Sequence, residues 1–331
     1  MARALVRAPS RRLFALVITL ALLGGGCEPF GDTTSPPTHI YTMRADGTQQ
    51  AALTSGDGHA ERAPAWSPDG NRIAFSRDGR TWLMDADGSH AERLTAGTSS
   101  FPAWSPDGTR IGYVHGTQIW VAEVDGSKSA RLAVGADPQE GGPVWSPDGA
   151  SIAFVGKGGI HVVNADDGSG DTVLKPFGWN PAWSPDGRWI AYWTDEIYVV
   201  RSDGSSSRRL THTPHREERR PSWSPDGTRI AFAARRVKHF DGPWNLYVMD
   251  SDGSDVTQIG IGAHPDRGVY NKGGLLRWSP DGAEIAFACR SEICVAAADG
   301  SAVRRLTPSV GRDGEPEWSP DGTRIVFQSE H

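Results

Sequence analysis

Beyond residue 26 the sequence has no long apolar pattern repeating every 3.6 residues, which excludes helix bundles and alternating α/β plans. Cysteine is scarce, three in 331 residues, and no second Cys or His pair stands at zinc-binding spacing. There is no Gly-x-Ser-x-Gly elbow and no Gly-rich phosphate loop leading into a helix, so no nucleophile, acid/base pair or cofactor site can be named. The apolar share, 37%, is low for a chain that buries both faces of its elements. What is plentiful is glycine (40), proline (23) and tryptophan (13), with short apolar runs between Gly, Pro, Asp and Ser clusters. That composition reads as an all-β protein of short strands and tight turns.

The first 26 residues read as a targeting segment. Arg3, Arg7, Arg11 and Arg12 precede an apolar run from Leu13 to Leu23 that is too short to span a bilayer, where about 20 residues are needed. The run ends in Gly24-Gly25-Gly26-Cys27, which resembles a bacterial lipobox and makes Cys27 the expected lipidation site; an ordinary cleaved signal is the alternative. Ser10-Arg11-Arg12-Leu13-Phe14 also resembles a twin-arginine export motif. Residues 27–38, rich in Pro and Thr, read as the lipidated cysteine and its tether. Removing residues 1–26 leaves 30 basic against 40 acidic side chains, a charge of −10 that argues against nucleic acid or anionic lipid as a partner. The expected location is the bacterial cell envelope, with the lipid as the only membrane contact; Glu28 after Cys27 tilts this toward the outer membrane.

From residue 39 to the end the chain repeats itself. Trp-Ser-Pro-Asp-Gly begins at Trp66, Trp104, Trp145, Trp183, Trp223, Trp278 and Trp318, each copy followed by a β run such as Ile73-Ala74-Phe75. Between copies lies a second module, an apolar strand, an Asp-Gly turn and a short strand ending near Leu-Thr. Each period therefore holds four strands: A into the Trp, B after Pro-Asp-Gly, C before the second Asp-Gly, and D near Leu-Thr. A four-stranded sheet of this size cannot cover both its faces alone, and stacking copies around an axis does so. Six complete blades are expected, roughly 66–95, 104–132, 145–174, 183–211, 223–259 and 278–307. The chain opens with a C–D module and closes with an A–B module; paired, they make a seventh blade and remove two bare sheet edges.

Trp-Ser-Pro-Asp-Gly, an Ile-Ala-Phe strand, then Ile-Tyr-Val and Arg-Leu-Thr resemble the repeat of TolB-type propellers. The resemblance covers residues 39–328 and implies the fold; function does not follow from it, because propellers host many activities.

The motif tryptophans are expected to pack between blades, and the Asp-Gly turns to be hairpin turns in preference to calcium loops. Pro-Asp-Gly and Asp-Gly turns share one end of the propeller, where the copies are uniform. Variation falls at the other end, in residues 211–221, 234–245 and 260–275, all around blade 223–259. Loops that vary on a rigid frame are where function concentrates. The expected partner-binding face is therefore Trp179, Trp193, His215, Arg216, Glu217, His239, Trp244, Asp266, Arg267 and Tyr270, offered by a monomeric propeller to an envelope protein or peptide. The resemblance extends to oligogalacturonate lyases, which hold a divalent metal through histidines. It implies a second reading, a metal-dependent carbohydrate-active enzyme using His212, His215, His239 and His264, although no fixed spacing marks these as ligands. A third reading is a glycan-binding module stacking sugar on Trp179 and Trp193. Cys289 and Cys294 bracket a hairpin turn and either form a disulfide or sit as two thiols on different strand faces.

Overall fold

The computed structural model describes residues 37–56, 58–137, 141–236, 243–263, 276–308 and 311–330. All regular structure in them is β: 28 strands in seven four-stranded antiparallel blades. Blade 1 runs Glu61–Trp66, Arg72–Arg77, Arg80–Asp85 and Glu92–Arg93, strands A to D in order. Blades 2 to 6 repeat the order, and each strand A touches the strand A of the next blade, so the seven ring the axis. Blade 7 takes A and B from the end of the chain (Asp313–Trp318, Arg324–Ser329) and C and D from its start (His39–Arg44, Ala51–Ala52). His39–Arg44 pairs with Arg324–Ser329 over its whole length, from His39↔Ser329 to Arg44↔Arg324. The blade count and this closure are those the repeat implies. A single bridge, Ala263↔Cys289, also links the sheets of blades 5 and 6.

The motif residues hold the ring by three repeated devices. Within each turn the Ser hydroxyl donates to the Asp carboxylate (Ser67 Oγ to Asp69 Oδ1, 2.6 Å). The same Oδ1 accepts the N–H two residues on, and the Ser oxygen accepts the N–H that starts strand B (2.9 Å from Arg72). These bonds recur in the other six copies and favour the ionised carboxyl, holding Asp226 down to about 2. Between turns, the Pro of one copy lies on the Gly of the next: a Cβ on Gly108 would meet Pro68 at 3.6 Å, and one on Gly70 would meet Pro320 at 3.6 Å, which closes the circle. Those glycines also have φ near +70°, a conformation that costs other residues about 1–2 kcal/mol.

The third device is a chain of indole bonds. Trp104 Nε1–H donates to the carbonyl of Ala65 in the preceding blade at 3.0 Å, and Trp145, Trp183, Trp223, Trp278 and Trp318 repeat this at 3.0–3.1 Å. Trp66, at the junction of blades 7 and 1, is the exception: its buried Nε1 has no hydrogen-bond partner among the described residues. The core lies between blades. Ala231, Leu246 and Val248 of blade 5 pack with Trp278, Ile285 and Phe287 of blade 6, and the strand-B phenylalanines Phe75, Phe154, Phe232, Phe287 and Phe327 are fully buried.

Candidate functional site

Strand A carries a bulge three residues before its Trp in five of the blades. Ala63, Phe101, Asn180, Arg220 and Glu315 all have φ between 48° and 58°, and the pairing with strand B slips there. The next residue is Pro64, Pro102, Pro181, Pro221 or Pro316, which has no N–H to give the ladder. The bulge turns side chains toward the next blade. Across the junction of blades 7 and 1, Glu315 Oε2 accepts the N–H of Ala63 at 2.5 Å and Glu317 Oε1 that of Trp66 at 3.2 Å. Arg277 Nη2 stands 3.6 Å from Glu317 Oε2. Burial pushes both carboxyls above the ordinary range, opposed by arginines including Arg62, Arg220 and Arg277 around Glu315.

Blade 5 departs from the repeat in height. Its strands are Arg216–Trp223, Arg229–Arg236, Trp244–Asp250 and Thr257–Ala263, with eight residues in A and B where strand B elsewhere has five or six. Two more residues per strand add about 7 Å. The surplus lies at the variable end and is rich in arginine. Glu217 opposes Arg235 across the A–B pair, and Arg216 opposes Arg236.

On this raised edge Glu217 bridges two guanidinium groups. Its Oε1 accepts from Arg219 Nε at 2.8 Å, and its Oε2 from Arg235 Nη2 at 2.7 Å and Nε at 2.8 Å. Both arginines lie over the Trp244 ring (5.1 Å and 4.6 Å to its centroid), and Arg219 also lies over Trp193 of blade 4 at 4.9 Å. Trp193 continues the row: its ring is 4.9 Å from that of Trp179, and its Nε1–H donates to Asn180 Oδ1 at 2.7 Å. Trp179, Trp193, Arg219, Trp244 and Arg235 thus form one stacked ladder across two blades, each cation–π contact worth about 0.5–2 kcal/mol. Glu218 points the other way, held by Thr211 and Thr213, and burial raises its carboxyl above the usual range.

Beside the ladder a cleft of about 390 Å³ opens between strands of blade 5, lined by Arg216, Ala234, Arg235, Arg236, Pro243, Asn245, Tyr247 and Gln258. Three of these are arginines and none is acidic. The Arg216 guanidinium sits 4.9 Å from the Tyr247 ring centroid. Like charges directly opposite on paired strands disfavour folding by about 0.2–1 kcal/mol, so Arg216↔Arg236 is a feature that packing does not call for.

Of the residues singled out in the sequence, Trp179, Trp193, Arg216, Glu217 and Trp244 come together here. Trp244 is 3% exposed and serves as a platform under the arginines, with no face left for a ligand; Trp179 and Trp193 are half-buried. His212 and His215 lie exposed on the approach to strand A. Cys27, His239, His264, Asp266, Arg267 and Tyr270 fall outside the described residues. Cys289 and Cys294 are joined by a disulfide, with Cα atoms 5.7 Å apart. With Glu292 they form the one group among the described residues whose Cys, His or carboxylate ligand atoms converge at metal-binding range, and its two sulfurs are bonded to each other. Arg219, Arg235, Arg236 and Asn245 lie within the variable segments 211–221 and 234–245 but are not singled out by the sequence, and Tyr247 lies outside those segments. The Ala234-Arg235-Arg236 run was visible, but as part of a loop.

No family model matches the chain, and no curated protein matches it. Solved structures do. A TolB-assigned protein from Agrobacterium tumefaciens shares 21% identity at a TM-score of 0.54, over 89% of this chain and 98% of that one. An oligogalacturonate lyase from Vibrio parahaemolyticus shares 14% at 0.66, over 89% and 98%. An oligogalacturonate lyase in complex with manganese shares 15% at 0.65, over 88% and 96%. At these identities the likeness is one of fold alone, that of a β-propeller.

Proposed function

We propose that this protein is an exported, lipid-anchored β-propeller scaffold that binds a protein or peptide partner through its loop-rich end. Residues 1–26 act as the export signal, Cys27 carries the lipid, and residues 27–38 tether the propeller to the membrane of the cell envelope. The observation that carries the reading is the raised edge of blade 5. There a propeller whose other blades keep to one height extends its sheet and displays arginines stacked on aromatic rings. Arginine and large aromatics are the side chains that dominate protein–protein contacts, and a prearranged guanidinium loses little freedom on binding. The ladder ties two blades together, so the surface is stiff before a partner arrives.

The test is crosslinking in living cells from a photoreactive residue at position 215, exposed beside the raised edge, with identification of what is captured. A reproducible protein partner supports the reading, and no partner under any growth condition overturns it. In the same cells Cys27→Ala is expected to move the protein from the membrane fraction to the soluble one.

A further inference from the structure

The arginine-lined cleft of blade 5 indicates what chemistry the partner presents. We propose that it binds a carboxylate-rich extended segment of that partner, a stretch of peptide with two or more Asp or Glu side chains close together. This rests on the scaffold reading above and adds to it the charge and form of the ligand.

Three observations lead there. First, the cleft reverses the charge of the molecule: the chain without residues 1–26 has −10, yet among the described residues this lining holds Arg216, Arg235 and Arg236 and no acid. Among the described residues the neighbouring carboxylates are engaged elsewhere, Glu217 by Arg219 and Arg235 and Glu218 by Thr211 and Thr213, so neither compensates Arg216 and Arg236. Among the described residues neither of those two is within ion-pair distance of a carboxylate. Second, Arg216 and Arg236 face each other across one strand pair. Two guanidinium groups in that register repel when the cleft is empty and are drawn together by an anion between them, each able to grip a carboxylate with two parallel N–H···O bonds. Arg216 is already set in place by Tyr247. Third, Asn245 lines the same cleft, and its Oδ1 is buried with no hydrogen-bond partner among the described residues. It is an acceptor in need of a donor, and a peptide N–H supplies one along with its acidic side chains. A volume of about 390 Å³ is in the range of sites that hold a small ligand and is far more than a single phosphate fills. The walls contributed by Ala234, Pro243 and Tyr247 give the carbon atoms of a peptide apolar surface to lie on.

The test uses the full-length protein and a capped hexaglutamate peptide, with binding read by titration calorimetry and by tryptophan fluorescence from the neighbouring ladder. Saturable one-to-one binding is expected at low ionic strength, weakening as salt rises. The double variant Arg216→Ala/Arg236→Ala is expected to weaken it by about tenfold or more, through loss of charge-assisted bonds. Hexalysine should not bind. Removing a like-charged pair should leave the denaturation midpoint unchanged or higher. If the alanine variant nonetheless fails to fold, Arg216→Lys/Arg236→Lys keeps the charge without the fork, and a smaller loss of affinity is then expected. The proposal is overturned if hexaglutamate does not bind or the double variant binds it equally well. Equal or tighter binding of trigalacturonate or inorganic phosphate also overturns it, since the cleft would then select an acidic sugar or any anion. The two readings fail differently. A partner captured in cells by both the wild type and the double variant keeps the scaffold and removes the cleft, whereas no captured partner removes the scaffold.

Discussion

The chain of indole hydrogen bonds is broken at one place, and that break can be measured. Trp318 and Trp66 occupy the same position in neighbouring blades, and each is 6% exposed. Trp318 Nε1–H donates to Arg277 O at 3.0 Å, while Trp66 Nε1 is buried without a partner among the described residues. Replacing either by Phe removes a similar amount of buried ring, costing about 1 kcal/mol at the usual coefficient for apolar area. At Trp318 the substitution also deletes a hydrogen bond worth about 0.5–1.5 kcal/mol, for a total near 2 kcal/mol. At Trp66 it deletes a buried N–H with no partner, whose desolvation penalty of about 1–3 kcal/mol is relieved, so the net effect is close to zero or stabilising. Equilibrium urea denaturation of the two variants, followed by far-ultraviolet circular dichroism, should give a midpoint for Trp318→Phe below that of Trp66→Phe. If Trp66→Phe is the more destabilised of the two, the indole bonds are not what distinguishes these positions and the reasoning fails.

Two further outcomes concern stability. Ala63 has a φ of 52°, so Ala63→Gly is expected to raise the denaturation midpoint by relieving about 1 kcal/mol of backbone strain; a fall would show that the bulge is not strained there. The response to pH should be two-sided. The seven turn aspartates have folded-state values held below the unfolded 3.8, by their Ser hydroxyls first and then by backbone N–H groups, so their contribution is present above pH 3.8 and is lost as pH falls through their folded values, about 2 for Asp226. Glu218, Glu315 and Glu317 are raised above 4.5, chiefly by burial, so they disfavour folding at neutral pH and this cost is relieved as pH falls through their folded values toward 4.5. Thermal melts across pH should therefore rise slightly on mild acidification and collapse below pH 3.8; a monotonic fall from neutral pH would contradict the assignment of the buried glutamates.

The frame was legible because its devices are local. Ser, Pro, Asp and Gly at fixed offsets hold their own turn, so seven copies read as seven turns, and the half-modules at the ends read as one blade. The bulges were not, since Ala63, Phe101, Asn180, Arg220 and Glu315 lack the glycine that usually marks positive φ, and only the following proline hints at the interrupted ladder. The long spacing between Trp223 and Trp278 marked blade 5 as the place of interest, but spacing does not tell a longer loop from a taller sheet. Arg235 and Arg236 looked like loop residues and are the last rungs of a strand. Nor does periodicity say that Trp193 of one blade lies under Arg219 of the next; that contact depends on how blades meet.

The central claim is that partners meet this propeller at the raised end of blade 5 and not at its uniform end. Photoreactive residues placed at the exposed position 215 beside the raised edge and, on the opposite end, at the exposed Ser205 of an Asp-Gly turn put it to a direct test in living cells. Capture of the same protein from position 215 and not from 205 is the expected result. Capture from 205 alone, or from neither, would contradict it.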